Sequence, residues 1–224
     1  IKRLVGYHWF GGEAIFGIPI SVSVSFIFLF VLFGAILDVA GGGKYFLNLA
    51  FALVGKMRGG PAKAAILASG LTGLISGSSV ANTVTTGTFT IPIMKKSGLP
   101  AVKAGAIEVA ASVNGQIMPP IMGAAAFVMA SFLGVTYFEV VKHAFLPAII
   151  SYVALFYISH LEALKLNLKG MDDVDIPNLK KTFLSGLHFL IPIFVLVYML
   201  VYLRFTASYS IFFATIALII VNLG

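Results

Sequence analysis

Long uncharged apolar runs separated by short basic or polar segments dominate this sequence. Residues 14–37 carry no charge and are long enough to cross a hydrocarbon core of about 30 Å with some tilt. Residues 45–54 are too short to span and are flanked by Lys and Arg, which predicts an amphipathic helix at the cytoplasmic interface. The apolar runs 143–161 and 183–203 predict further spanning helices, and another begins at residue 205. The pattern predicts an all-α, polytopic membrane fold.

A further uncharged run, residues 64–94, is interrupted by a Ser/Gly-rich segment at 75–83. As one straight helix it would be about 46 Å long, well over the thickness of the core. One crossing would also put basic residues on both sides of the membrane, against the positive-inside tendency. These residues are Lys56, Arg58 and Lys63 before the run, and Lys95, Lys96 and Lys103 after it. We therefore predict a re-entrant hairpin with both ends on the cytoplasmic side.

Residues 104–138 form a second interrupted run, whose only charge is Glu108. The segment 114–120 ends in Pro119-Pro120, and a tandem proline can end one helix and begin another. We predict a discontinuous helix with halves near 105–113 and 119–133. Its break would lie about 17 Å from the cytoplasmic end, close to the depth of the hairpin tip. For Glu108, an interfacial pair with Lys103 and a proton- or sodium-binding role both stay open.

The two breaks expose backbone groups with complementary chemistry. A half-helix that ends near Gly77 leaves carbonyl oxygens that suit a hard cation such as sodium. A half-helix that starts at Ser78 or Ser79 presents N–H groups that favour a carboxylate, and Asn82 and Thr83 follow one turn later.

The second break offers similar chemistry through Asn114, Gly115, Gln116 and the carbonyls before Pro119. Neither break contains a carboxylate, which disfavours calcium and transition metals. Small residues also recur at every fourth position, a spacing that favours a helix-packing face: Ser69, Gly73 and Gly77.

Composition narrows the protein class. Hydrophobic residues make up 59% of the chain and charged residues 10%, and the mean hydropathy is +1.03, as expected for an integral membrane protein. The net charge of +7 suits loops that face an anionic leaflet, and no nucleic-acid footprint is present. The absence of cysteine excludes disulfides and thiol chemistry. We expect the chain to be part of a longer polypeptide.

Two motifs resemble one transporter family. Residues 75–92, ISGSSVANTVTTGTFTIP, and 115–127, GQIMPPIMGAAAF, are similar to the large membrane subunit of tripartite ATP-independent periplasmic (TRAP) transporters. They look like the branch in which the small and large membrane subunits are fused and the partner is a TAXI-type periplasmic receptor. The similarity covers roughly residues 14–170.

The resemblance implies an elevator-type secondary transporter in a bacterial or archaeal inner membrane, with Na⁺ as coupling ion and no other cofactor. A periplasmic solute receptor would deliver a small carboxylate. The substrate contacts expected at the hairpin tip and the facing break are Ser78, Ser79, Asn82, Thr83, Asn114 and Gln116. The expected sodium ligands, mainly through backbone carbonyls, are Ser76, Gly77, Ser78, Asn82, Gly115 and Pro119.

The positions of the apolar runs also predict a division of the chain into four parts. Residues 1–63 hold the first span and the interfacial helix, and 64–138 hold the hairpin 64–94 and the broken helix 104–138. Residues 139–181 form a return helix and a polar connector, and 182–224 begin a second repeat or scaffold.

A receptor-independent divalent-anion/sodium symporter is the alternative function. A membrane-embedded enzyme is disfavoured, because the sequence has no HExxH motif and no plausible Ser/His pair, and a purely structural scaffold would not explain two polar breaks.

Overall fold

Every regular element of the described chain is a helix, which confirms the all-α fold class. The computed structural model describes residues 2–10, 17–172 and 175–223. Its helices are α1 (Lys2–Phe10), α2 (Ile18–Val22), α3 (Phe28–Val39), α4 (Gly42–Val54), α5 (Gly60–Ser76), α6 (Ser79–Lys96), α7 (Ala101–Gly115), α8 (Ala124–Leu133), α9 (Tyr137–Lys165), α10 (Leu179–Ser185), α11 (Leu187–Val197) and α12 (Ala207–Leu223). Helix α1 was not predicted. The predicted start of the first span, 14–16, and Asp173 of the connector lie outside the described residues.

Two described helices are long and apolar enough to cross a membrane, Ile20–Val39 and Tyr137–Lys165. The first joins α2 and α3 through a π-helical turn at Ser23–Ile27, and the second is α9, which contains the predicted span 143–161. Much of α9 is apolar and exposed, including Leu146 at 64% and Val153 at 62%. Such a surface suits contact with lipid, because a water-exposed helix would carry polar residues there.

The predicted interfacial helix is α4, and one of its faces packs against α5. It begins after Gly41, whose φ of 99° lies in the left-handed region that glycine adopts readily. Buried Phe46 and Phe51 point into the protein, and Ala50 is buried in one cluster with Ala64 and Ala68 of α5. The helix is confirmed, and its position at the membrane surface stays a prediction.

Helices α5, α6 and α7 pack together through small residues. A methyl group at Gly73 of α5 would lie 2.5 Å from the Cα atom of Gly115 of α7, so the two backbones touch. This contact confirms the predicted packing role of Gly73, because only residues without a side chain allow such a close approach.

The second half of the broken helix starts later than predicted. Helix α8 begins at Ala124, not at 119, and the tandem proline lies within the irregular segment 116–123. The Gly123 N–H bonds to the Gln116 carbonyl over 2.7 Å and closes this segment as a loop. Pro119 and Pro120 have no N–H, and they therefore tolerate positions in the loop where no helical bond forms.

The predicted span 183–203 is bent near its start, because the chain turns by 60° between α10 and the segment Leu187–Tyr202. The bend lies at Gly186, where a methyl group would come within 2.1 Å of the Tyr45 ring. The Tyr45 hydroxyl also donates to the Phe183 carbonyl over 3.4 Å. The ring of Tyr45 therefore occupies the space that a side chain at position 186 would need.

The suggested pair between Lys103 and Glu108 is also wrong. The Lys103 ammonium instead forms an ion pair with Glu162 of α9. Glu108 points into the packed interior between α5, α6 and α7 and is completely buried.

Candidate functional site at two broken helices

The hairpin tip consists of two residues, Gly77 and Ser78, between α5 and α6. Gly77 has φ 58° and ends α5 with an N–H bond to the Gly73 carbonyl. Ser78 is extended, and its Oγ accepts the Ala81 N–H over 3.3 Å as the N-cap of α6. Both predictions for the tip, an end near Gly77 and a serine cap, are confirmed.

The loop of residues 116–123 brings the second break against this tip. A methyl group at Gly77 would lie 2.6 Å from the Met122 carbonyl oxygen, and one at Gly123 would lie 3.1 Å from the Gly77 carbonyl oxygen. The backbones of the two breaks are thus in direct contact. Met122 also has a φ of 57°, a conformation that is unfavourable for a residue with a side chain and that recurs at functional sites.

Two cavities adjoin the tip, and both are lined by Ser76 and Ser78. One has a volume of about 380 Å³ and lies between the tip and the loop, where Gln116 and Gly123 also line it. The other has a volume of about 460 Å³ and extends towards α3. Its further polar lining residues are Asp38, Thr72, Asn82 and Thr85.

The tip presents opposite polarities to these cavities. The last carbonyl groups of α5 form the negative end of its dipole, and the first N–H groups of α6 form the positive end of the next dipole. The first helical hydrogen bond of α6 runs from the Asn82 N–H to the Ser78 carbonyl. The N–H groups of Ser79 and Val80 come before this bond and therefore have no carbonyl partner within the helix. The arrangement can hold a cation and an anion within a few residues of each other.

Asn82 joins the two legs of the hairpin. Its amide nitrogen donates to the Ser69 carbonyl over 2.9 Å, and its amide oxygen accepts from the Thr72 hydroxyl over 2.5 Å. Its side chain is 1% exposed. Although Asn82 lines the larger cavity, both ends of its amide group already have partners within the hairpin.

The structure brings only some of the predicted site residues together. Ser76, Gly77, Ser78 and Gln116 line the smaller cavity, and Asn82 lines the larger one. The Asn114 amide oxygen accepts from Ser151 of α9 over 2.9 Å. The remaining predicted residues are not among the lining residues of these two cavities: Ser79, Thr83, Asn114, Gly115 and Pro119.

Sequence reasoning missed Tyr137, which stabilises the loop from the first turn of α9. Its hydroxyl lies 2.9 Å from the Pro120 carbonyl oxygen and also contacts the Ile121 carbonyl. Its ring stacks on Phe127 with centroids 4.2 Å apart. At 8% exposed, Tyr137 faces the protein interior and not lipid. No local pattern distinguishes it from the other tyrosines.

Comparison with known proteins relates the sequence to a family of permeases. The chain is 31% identical over 75% of its length to a Salmonella typhimurium protein named Uncharacterized protein YgiK. It is 31% identical over 66% of its length to the Putative TRAP transporter large permease protein of Haemophilus influenzae. It is 26% identical over 75% of its length to the 2,3-diketo-L-gulonate TRAP transporter large permease protein YiaN of Escherichia coli.

These alignments cover 38%, 34% and 39% of the three relatives, so the chain spans less than half of each. The family described as "Tripartite ATP-independent periplasmic transporter, DctM component" matches residues 2–224. The chain therefore belongs to the DctM component of the tripartite ATP-independent periplasmic transporters, a family of transporters and not of enzymes.

Proposed function

We propose that this chain carries one ion- and anion-binding hairpin of a permease that imports organic acid anions with sodium. The observation that supports this most directly is the contact between the Gly77 and Met122 backbones, with a cavity beside it. Irregular backbone in a membrane protein persists where protein or a water-filled cavity covers it, and binding sites of transporters are built from such broken helices.

The anion would bind at the start of α6. Ser78 lines both cavities, and the N–H groups of Ser79 and Val80 add the positive end of the helix dipole. Gln116 supplies a neutral amide from the facing loop. A relative named for 2,3-diketo-L-gulonate and two others named for C4-dicarboxylates support an organic acid anion as the substrate class.

The sodium ion would be held by backbone carbonyls at the contact between the two breaks. The ligand atoms available there are hard carbonyl oxygens. The Gly77 carbonyl lies against the backbone of the loop 116–123, and the Met122 carbonyl lies against the backbone of the tip. Ser76, Gly77, Ser78, Asn82, Gly115 and Pro119 are the proposed sodium ligands, with Asn82 positioning the legs of the hairpin through its side chain. The bound ion would supply positive charge that favours the anion beside it.

The partners follow from family membership and from the resemblance of the motifs. We propose a periplasmic solute receptor of the TAXI type and a small membrane subunit fused to the same polypeptide. The permease would lie in the inner membrane of a bacterium or archaeon. The hairpin with α7 would move across a static scaffold as an elevator.

Uptake into proteoliposomes tests this proposal. The full-length permease and its receptor are reconstituted with and without an inward sodium gradient, and radiolabelled dicarboxylates and sugar acids are offered. We expect uptake that requires both the receptor and sodium. Sodium-dependent uptake without the receptor would instead support a receptor-independent symporter, and no uptake of any of these anions would contradict the proposed substrate class.

Two serine variants, one at each end of α6, then test where the anion binds. Ser78→Ala removes the hydroxyl that lines both cavities, and we expect a lower affinity for the anion. Ser97→Ala makes the same change at the opposite end of α6, where the Ser97 hydroxyl bonds to the Met94 carbonyl over 2.8 Å. Equal effects of the two substitutions on the KM of uptake would argue against a site at the tip.

A further inference from the structure

Glu108 is surrounded by hydroxyl groups, and neither it nor these groups line the two cavities at the tip. The carboxyl group is 0% exposed and is contacted from three helices. Ser69 of α5 lies 3.1 Å from Oε1, and Ser112 of α7 lies 3.5 Å from the same oxygen. From α6, Thr86 contacts Oε1 and Thr90 lies 2.5 Å from Oε2.

These hydroxyl groups have too few protons for their contacts. Besides Oε1, the Thr86 hydroxyl has the Asn82 carbonyl at 2.7 Å, and besides Oε2, the Thr90 hydroxyl has the Thr86 carbonyl at 3.0 Å. A hydroxyl group donates a single hydrogen bond. Each threonine therefore faces two acceptor oxygens with one proton, and a further positive charge would relieve the repulsion that remains.

Within the described residues, no basic side chain forms an ion pair with Glu108. On the helices that pack around it, the Lys63 ammonium bonds to His160 over 3.0 Å, and Lys103 pairs with Glu162. The Tyr152 hydroxyl of α9 donates to the Ala111 carbonyl over 3.1 Å. The other charged groups of these helices are exposed or half-buried: Lys95, Lys96, Glu139, Lys142, His143 and Lys165.

A buried carboxylate without a counter-charge is unfavourable, so a positive charge would stabilise this arrangement. The chain also leaves room for the side chain of Glu108. A methyl group at Gly87 of α6 would lie 3.1 Å from its Cγ atom, and glycine at this position lets the carboxyl group reach the hydroxyls.

We propose that Glu108 and these four hydroxyl groups form a binding site for one monovalent cation, a proton or Na⁺. Both ions neutralise the carboxylate, and hard hydroxyl and carbonyl oxygens suit either. The site is separate from the cavities at the tip. Because its oxygen atoms come from α5, α6 and α7, occupancy stabilises the docking of both hairpin legs on the broken helix.

Thermal unfolding of the full-length permease in detergent tests the site without using transport. Na⁺ is varied at constant ionic strength with choline, and pH is varied in a second series. A ligand that binds only the folded state raises the unfolding temperature as its concentration rises. We expect the wild type to gain stability with Na⁺ if sodium is the occupant, or with falling pH if the occupant is a proton.

The decisive comparison is between two Glu→Gln variants. Glu108→Gln carries a neutral amide of similar shape and should show a smaller response to the occupant ion than the wild type. Glu139→Gln makes the same change at a half-buried carboxyl on α9 and should keep the full response. A wild type that responds to neither ion, or a Glu108→Gln response equal to that of the wild type, would overturn the proposal.

If Glu108→Gln does not fold, the variant Thr90→Val tests the cation site instead. It keeps the carboxyl group and removes only the hydroxyl at Oε2. We expect the half-point of the ion response to shift to a higher ion concentration, and an unchanged half-point would refute the site. The transport proposal does not depend on either result, because the readout is the ion dependence of stability and not uptake.

Discussion

At the scale of single residues, glycine decides where backbones can meet. Gly73 and Gly115 bring α5 and α7 into backbone contact, and Gly115 also lies against the amide of Asn82. Gly77 and Gly123 do the same for the two breaks. A side chain at any of these positions would have to displace backbone atoms, which a packed core resists. The site is therefore sensitive to the smallest possible substitution.

Gly73→Ala should destabilise the protein strongly. The new methyl group would lie 2.5 Å from the Gly115 Cα atom, and overpacking of this kind lowers the free energy of unfolding by about 1–3 kcal/mol. Gly105→Ala is the matched control, because nothing lies within 4 Å of a methyl group at that position of α7. The control should be neutral or stabilising by up to about 1 kcal/mol through helix propensity. Thermal unfolding in detergent measures both, and equal midpoints would contradict the predicted contact.

At the scale of elements, the two breaks are stabilised in different ways. The tip has its own cap in Ser78, whereas in the loop 116–123 the carbonyls of Pro120 and Ile121 share the single proton of the Tyr137 hydroxyl of α9. Buried carbonyls without partners are unfavourable. The start of α9 therefore helps to set the shape of the loop that faces the hairpin.

Tyr137→Phe should loosen this loop while keeping the ring in place. Loss of the hydroxyl removes the one proton that these two carbonyls share and should lower the free energy of unfolding by about 1–3 kcal/mol. We also expect a higher half-saturating sodium concentration in uptake, because the carbonyls of the break would be less well ordered. Tyr157→Phe removes the same hydroxyl from an exposed position on the same helix, where the residue is 61% exposed. If both variants behave alike, Tyr137 does not support the loop.

At the scale of the whole molecule, the hairpin and the first span enclose the larger cavity together. Ala35 of α3 and Ala81 of α6 both line it. If the hairpin travels relative to α3 during transport, as the proposed elevator requires, the distance between these residues must change. A rigid site would keep that distance.

Joining Ala35 to Ala81 should therefore stop transport. The chain has no cysteine of its own, so Ala35→Cys and Ala81→Cys introduce the reactive thiols of this region. A cleavable bifunctional thiol reagent should abolish uptake in the double variant, and cleavage of the reagent should restore it. Each single variant treated in the same way serves as control. Full uptake by the cross-linked protein would contradict relative movement of α3 and the hairpin.

Local sequence chemistry was sufficient for most of the helices, for the glycine–serine tip and for the existence of the second break. These features depend on residues within one or two turns, such as the left-handed Gly77 and the cap Ser78. Proline placement also located the second break, although not the start of α8 at Ala124. The division into four parts and the roles of the site residues stay predictions, because the fold alone does not test them.

Contacts between distant parts of the chain decided the rest. Lys103 pairs with Glu162, 59 residues away, and not with Glu108. The bend at Gly186 depends on Tyr45, and the hydroxyl groups around Glu108 come from three helices. Hydrophobic periodicity shows which stretches are helical, but a partner for a polar side chain is selected by how the helices pack. Only the tertiary structure could therefore show that Glu108 is a buried carboxyl group among hydroxyls and not an interfacial acid.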